Sequence, residues 1–295
     1  MIISESKGFV FVHNPRTGGS ALRRVLSEYA AEDGVFWDHG WSERFQHVVD
    51  RAHIPLCEVD EFCDIEVFRR HLVFGFVREP YSRMYSAFEQ HRKMNFPDQA
   101  IDFNEFAHTY LNEHSVFRDA NLSHFIPQHF FFYLGNKCLA DYVGRHERVG
   151  LDLAVLQGLL GFDLSGASVQ EIVSPSRVET GANKVTEVFE QDTLALCNRM
   201  YARDFLLFGY PRIESHADDA AYSEYWARIE QQNRVRNDEL AVLQQQCVDY
   251  RKQLAEAGRD RDALQGELDT LHSSASWRFA RLLARASRPF RRLFD

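Results

Sequence analysis

The sequence predicts an α/β fold, a parallel sheet flanked by helices, followed by a long C-terminal coiled-coil helix. Two apolar segments, FVFV at residues 9–12 and LVFGFV at residues 72–77, each run through a short polar turn into a helical pattern. Strands that alternate with helices in this way favour parallel pairing with helices on both faces. From Tyr222 onward the pattern changes, with apolar residues recurring at spacings of three and four and no proline before Pro289. That is the heptad of a coiled coil. The expected organisation is therefore a globular domain over residues 1–215, a coiled coil over 216–272 and a basic amphipathic tail over 273–295.

The first strand ends in the loop HNPRTGGS, which opens the helical pattern ALRRVLSEY. Gly18 and Gly19 let backbone approach an anion closely, and the amides and dipole of the following helix point at it. Thr17 and Ser20 add hydroxyls and Arg16 a fixed charge. This makes the sheet P-loop-like. The turn lacks the G-K-[ST] of a nucleoside-triphosphatase loop, because Gly19 precedes Ser20 and no Lys lies near, and a kinase reading loses its main support.

The second strand ends at Arg78-Glu79-Pro80. Pro80 suits the first turn of a helix, and Arg78 and Ser86 are placed to reach a second phosphate. Glu79 is expected to orient Arg78. Ligands in open α/β sheets sit outside the carboxyl ends of the strands, so both phosphate segments can share one crevice. Residues 94–135, rich in Phe and His, read as helices and loops that either shape an acceptor cleft or pack the core.

Together the segments resemble the PAPS-dependent sulfotransferases, in particular the bacterial and Golgi carbohydrate type (PAPS is 3′-phosphoadenosine 5′-phosphosulfate). Pro15-Arg16-Thr17-Gly18-Gly19-Ser20 matches the family's 5′-phosphosulfate loop, with Arg in the place of Lys. Phe74 through Ser86, with Arg78, Pro80 and Arg83, matches its 3′-phosphate segment. Pro127-Gln128, the run with Arg145 and Glu147, and YARDFLLFGY at residues 201–210 are similar to later family elements in the same order. The resemblance spans residues 5–211 and makes residues 1–215 the sulfotransferase domain.

The resemblance implies transfer of a sulfuryl group from PAPS to an acceptor hydroxyl, with Arg16 at the leaving group and a His as general base. His53, in AHIPLCEVDEF, is similar in place to the base of the carbohydrate enzymes, and His39, in WDHGWSE, is the second candidate. Arg is always charged, so Arg16 stabilises a leaving group but hardly donates a proton. Asn183 and Lys184, in the segment ETGANKV, correspond to a late loop that closes over the nucleotide.

Composition adds bounds. A formal net charge of −9 argues against general nucleic-acid binding. The cysteines, Cys57, Cys63, Cys138, Cys197 and Cys247, form no C-x-x-C pair, so neither a disulfide frame nor a metal site is expected. No signal-like or membrane-spanning run is present, so a cytoplasmic chain is expected. The seam Leu240, Leu243, Cys247, Tyr250, Leu254, Ala257, Leu264, Leu268 and Leu271, broken at Arg261, predicts self-association. It traces back through Arg236, Asn233, Ile229 and Trp226 to Tyr222. The tail interleaves Arg278, Arg281, Arg285, Arg288, Arg291 and Arg292 with aromatic and aliphatic residues, which suits peripheral contact with anionic lipid; a solvated basic tail is the alternative. The expected acceptor is a carbohydrate, a surface glycan or its lipid-linked precursor. The alternatives are a protein, lipid or small-molecule hydroxyl, or a non-catalytic nucleotide-binding scaffold.

Overall fold

The computed structural model describes residues 1–31, 34–164, 183–215, 218–274 and 279. The central sheet has four strands in the order β1 (Ile2–Ser4), β2 (Phe9–Val12), β5 (Leu72–Val77), β8 (Tyr142–Arg145). β2, β5 and β8 run parallel, with Phe11 opposite Phe74 and Phe74 opposite Tyr142. β1 pairs antiparallel with β2, so the sheet is mixed and not purely parallel as expected. The reason is a tight turn at Glu5–Gly8, where Gly8 takes φ +68°, a conformation open to glycine at little cost. Among the described residues two small hairpins complete the strands: β3 (His39–Ser42) with β4 (His47–Asp50), and β6 (Tyr133–Leu134) with β7 (Lys137–Cys138).

Alternation along β2 and β5 decides which helices cover which face. Phe9, Phe11, Phe74 and Phe76 pack with Leu22 and Leu26 of α1 (Gly19–Ser27) and with Leu153 and Leu156 of α4 (Val149–Leu160). Val10, Val12, Val73 and Val77 face the opposite layer, built from α2 (Pro80–Asn95), α3 (Phe103–Tyr110), α5 (Asn183–Val188), α6 (Gln191–Met200) and α7 (Ala202–Phe208). Both faces are thus helix-covered, as expected. The glycine in LVFGFV has a packing reason: a Cβ on Gly75 would lie 2.6 Å from the Phe132 ring and from the Val12 carbonyl oxygen. Residues 94–135 do pack the core, through Phe103, Phe106, Phe125, Phe131 and Phe132.

The chain divides into two compact units, Met1–Val235 and Arg236–Asp295. A last helix, α8 (Asp219–Ser273), carries the heptad segment. Tyr222 is buried in the core of the first unit and Trp226 packs against it, so these two members of the traced seam serve the domain. Leu264, Leu268 and Leu271 are exposed in the single chain. Most of the tail lies outside the described residues. No helix among the described residues is long and apolar enough to cross a membrane.

Candidate active site

β2 and β5 are neighbours and parallel, so their carboxyl ends deliver the two phosphate motifs to one edge of the sheet. After Val12 the chain turns through residues 13–18 into α1. Gly18 sits at the N-cap with φ +86°, and no side chain caps this helix end. Its first amides are therefore free of internal competition for an anion. Arg16 also adopts a left-handed conformation, φ +66°, which costs a residue with a Cβ about 1–2 kcal/mol and marks a loop shaped for a task. Gly19 is set against His13; a Cβ there would lie 2.3 Å from the imidazole. Ser20 is exposed on the first turn of α1. Thr17 behaves differently from its expected role as a phosphate donor. It is buried, and its hydroxyl donates to the Asn14 carbonyl at 2.9 Å, so its proton closes the loop.

The second motif looks alike in sequence and works differently. Glu79 caps α2, accepting from the amides of Tyr81 and Ser82. Burial pushes its carboxyl up to about 7, against the pull of those amides. Glu79 thus organises the helix end itself, whereas it was expected to orient Arg78, and a negative group already occupies the helix N-terminus. An anion at this motif must be held by side chains, and two are in place. Arg78 is buried, its Nη1 donating to the Arg16 carbonyl at 3.3 Å, while its Nε has no partner among the described residues. Ser86 Oγ accepts from Nε and Nη2 of Arg16, each at 3.1 Å. Arg16 therefore spans the two motifs, its Nη1 also donating to Gln90 at 3.4 Å. Arg83 is buried and structural: it donates to the carbonyls of Pro15 and Ile126.

A residue from outside both motifs locks them together. The Gln128 side-chain oxygen accepts from Asn14 Nδ2 at 3.0 Å and from the Arg78 amide at 2.9 Å, and its Nε2 donates to the Arg78 carbonyl at 2.7 Å. Asp204 fixes Gln128 in turn, accepting from the amides of Gln128 and His129 and from His129 Nδ1. Glu147, after β8, accepts from the Glu79 amide and from the Tyr210 hydroxyl. The sequence elements around Gln128, Glu147, Asp204 and Tyr210 are thus the braces of the crevice.

His53 lies against the first loop. Its Nδ1 donates to the His13 carbonyl oxygen at 2.8 Å. A carbonyl only accepts, so Nδ1 carries the proton and Nε2 presents a lone pair. Nε2 stands 4.0 Å from Asp50 Oδ2. The rings of His13 and His124 lie 4.4 and 5.0 Å from that of His53, centre to centre. His39 sits on the exposed strand β3, its Cα paired with Asp50 across the hairpin. Asn183 and Lys184 begin α5, a short helix where a loop was expected; the positions of their side chains, and residues 165–182, lie outside the described residues.

Sequence reasoning missed His124 and His146. His146 Nδ1 donates to the Thr17 carbonyl at 3.1 Å. Burial, and then the Arg78 charge, pull it down to about 4. Burial likewise pulls His53 and His124 down to about 3 and His13 well below its ordinary value. These folded values lie below the unfolded value near 6.5, so the unfolded chain binds more protons on falling pH. The stability they confer is present above about pH 6.5 and is lost as pH falls toward 3. The raised carboxyls of Glu58, Glu79 and Glu147 act in the opposite sense, three groups against the four imidazoles and the buried N-terminal amine, itself pulled down to about 4. Denaturant unfolding across pH 7 to 4 is expected to show a midpoint that falls with acidity; a flat midpoint would contradict the buried neutral imidazoles.

The model of a family described as the sulfotransferase family matches residues 1–211. The chain belongs to the sulfotransferase family. No curated protein and no solved structure gives a significant match. For this sulfotransferase the match covers every strand of the central sheet, both phosphate motifs and the Gln128 brace, and it ends before α8. Sulfuryl transfer is the chemistry of the family, which normally draws on PAPS as sulfate donor.

Proposed function

We propose that this protein is a PAPS-dependent sulfotransferase that places the sulfuryl group on a hydroxyl of a carbohydrate, with His53 as general base. The observation that carries the reading is the pairing of an uncapped helix N-terminus at the first loop with a buried, partly unpartnered Arg78 at the second. A donor with phosphates at both 5′ and 3′ positions needs two such anion sites on one edge. Gly18, Gly19 and Ser20 with the first turn of α1 would hold the 5′-phosphosulfate, and Arg78 and Ser86 the 3′-phosphate. The donor supplies the activated sulfuryl group. The chain supplies position and charge: Arg16 stabilises the leaving oxygen, and His53 Nε2 takes the hydroxyl proton.

A small cavity of about 10 Å³, lined by His47, Asp50, His53, Glu58, Phe117 and Asp119, lies beside the base, room for a single hydroxyl or water and not for a sugar ring. The hairpin leading to it exposes Trp41, and Trp37 stands exposed just before the hairpin with the Arg23 guanidinium 3.8 Å above its ring. Exposed aromatic surface on and before the hairpin that ends at Asp50 supports a sugar acceptor. The heptad of α8 supports self-association, and the arginine-rich tail supports peripheral contact with anionic lipid at the inner face of a membrane.

The test is calorimetric titration with 3′-phosphoadenosine 5′-phosphate beside adenosine 5′-phosphate and ATP–Mg²⁺. Preference for the 3′,5′-bisphosphate by at least about tenfold is expected, since charge-assisted hydrogen bonds contribute roughly 1.5–3 kcal/mol each. Arg78→Ala and Ser86→Ala should erase that preference while leaving adenosine 5′-phosphate affinity unchanged. Equal affinity for all three nucleotides would refute the donor assignment and favour a scaffold.

A further inference from the structure

Asp50 and His53, three residues apart at the end of β4, meet His124 from the Phe-rich insert beside the first phosphate loop. One nitrogen from each imidazole and one Asp50 oxygen lie within 4.8 Å of one another. An atom at the centre of such a triangle lies at most about 2.8 Å from each corner, the length of a hydrogen bond to oxygen. A transition-metal ion would need ligand atoms at about 2.0–2.2 Å, and the 4.0 Å edge between His53 and Asp50 is long for that. The triangle therefore has the size of a hydroxyl oxygen. Two corners are already oriented from behind: the His13 carbonyl holds the His53 ring, and the Ala52 amide donates to Asp50 at 3.0 Å. His124 makes its ring contact edge-on to His53, and among the described residues neither of its ring nitrogens has a hydrogen-bond partner. The His13 carbonyl that holds His53 belongs to the first loop, so the triangle adjoins the donor side of the crevice.

We propose that Asp50, His53 and His124 form the seat of the acceptor hydroxyl, and that His124 is a further catalytic residue that contacts it directly. The assignment rests on the sulfotransferase reading above. His124 donates an N–H to the hydroxyl oxygen and fixes its direction. The hydroxyl proton passes to His53 Nε2, where the Asp50 carboxylate stabilises the imidazolium. The acceptor oxygen forms its bond to sulfur as the bond from sulfur to the 5′-phosphate oxygen breaks, and the electron pair leaves with that phosphate oxygen.

The experiment compares wild type with His124→Ala and His124→Gln for transfer of labelled sulfate from PAPS to a glycan, beside titration with 3′-phosphoadenosine 5′-phosphate. Removal of one positioned donor is expected to lower kcat about a hundredfold with bisphosphate affinity unchanged, which also certifies the fold. Added imidazole should restore part of the rate to His124→Ala. Transfer at the wild-type rate by both variants, beside an active wild type, would overturn this assignment alone. A wild type that transfers to no hydroxyl would overturn the parent reading and this one with it.

Discussion

His53→Ala is expected to keep its affinity for 3′-phosphoadenosine 5′-phosphate and to lose turnover by about three orders of magnitude, within the range of a positioned general base. The proposed nucleotide sites rest on Arg78, Ser86 and the first turn of α1, and none of these hydrogen-bonds the His53 ring. What the substitution removes is one nitrogen lone pair in a fixed tautomer. In the protein alone burial holds the ring at about 3, a weak base for neutral pH. On the proposed reading, the anionic donor and Asp50 would favour the imidazolium and bring its basicity toward the working range. His53→Gln is the companion variant: it can still donate to the His13 carbonyl but offers no imidazole. Both variants should show the same deficit in labelled-sulfate transfer. Retained turnover would move the base to His39.

Gln128→Leu is expected to cost stability and nucleotide affinity together. The Gln128 amide is fully enclosed and serves Asn14 and both backbone groups of Arg78. Leucine fills much of the same volume and leaves those partners without their bonds. Asn14 Nδ2 keeps its bond to the Phe76 carbonyl, so at about 1–3 kcal/mol for each of the two stranded Arg78 backbone groups the loss sums to roughly 2–6 kcal/mol, a large share of what holds a domain folded. Urea unfolding measures it. Because the same bonds register the first loop against the second, bisphosphate affinity should fall by at least about tenfold in conditions where the variant stays folded. Wild-type stability would show that the brace is redundant.

The residues that were legible in the sequence are those whose chemistry is local. A strand, a Gly-Gly turn and a helix pattern placed Gly18, Gly19 and Ser20 at the start of α1, where the structure has them, because turn conformation is decided within a few residues. The helix-covered faces followed from alternating Phe and Val on two buried strands. The short strand β1 was missed because only three residues, Ile2–Ser4, precede the turn, too few to show a period. The roles of Thr17 and Glu79 were misread for a shared reason: each spends its polar atoms on a backbone a few residues away, and a motif reads the same whether such a group faces inward or toward a ligand. His124 was out of reach altogether. It lies beyond the second motif in the chain, and only the packing of the Phe-rich insert brings it beside His53.

The most direct measurement is transfer of labelled sulfate from PAPS by the purified chain to a set of neutral, uronate-bearing and amino-sugar glycans, with peptide and lipid hydroxyls alongside. The account predicts label on a glycan hydroxyl with stoichiometric 3′-phosphoadenosine 5′-phosphate. Label only on a peptide or lipid would contradict the acceptor assignment, and no transfer to any acceptor, despite tight bisphosphate binding, would contradict catalysis itself.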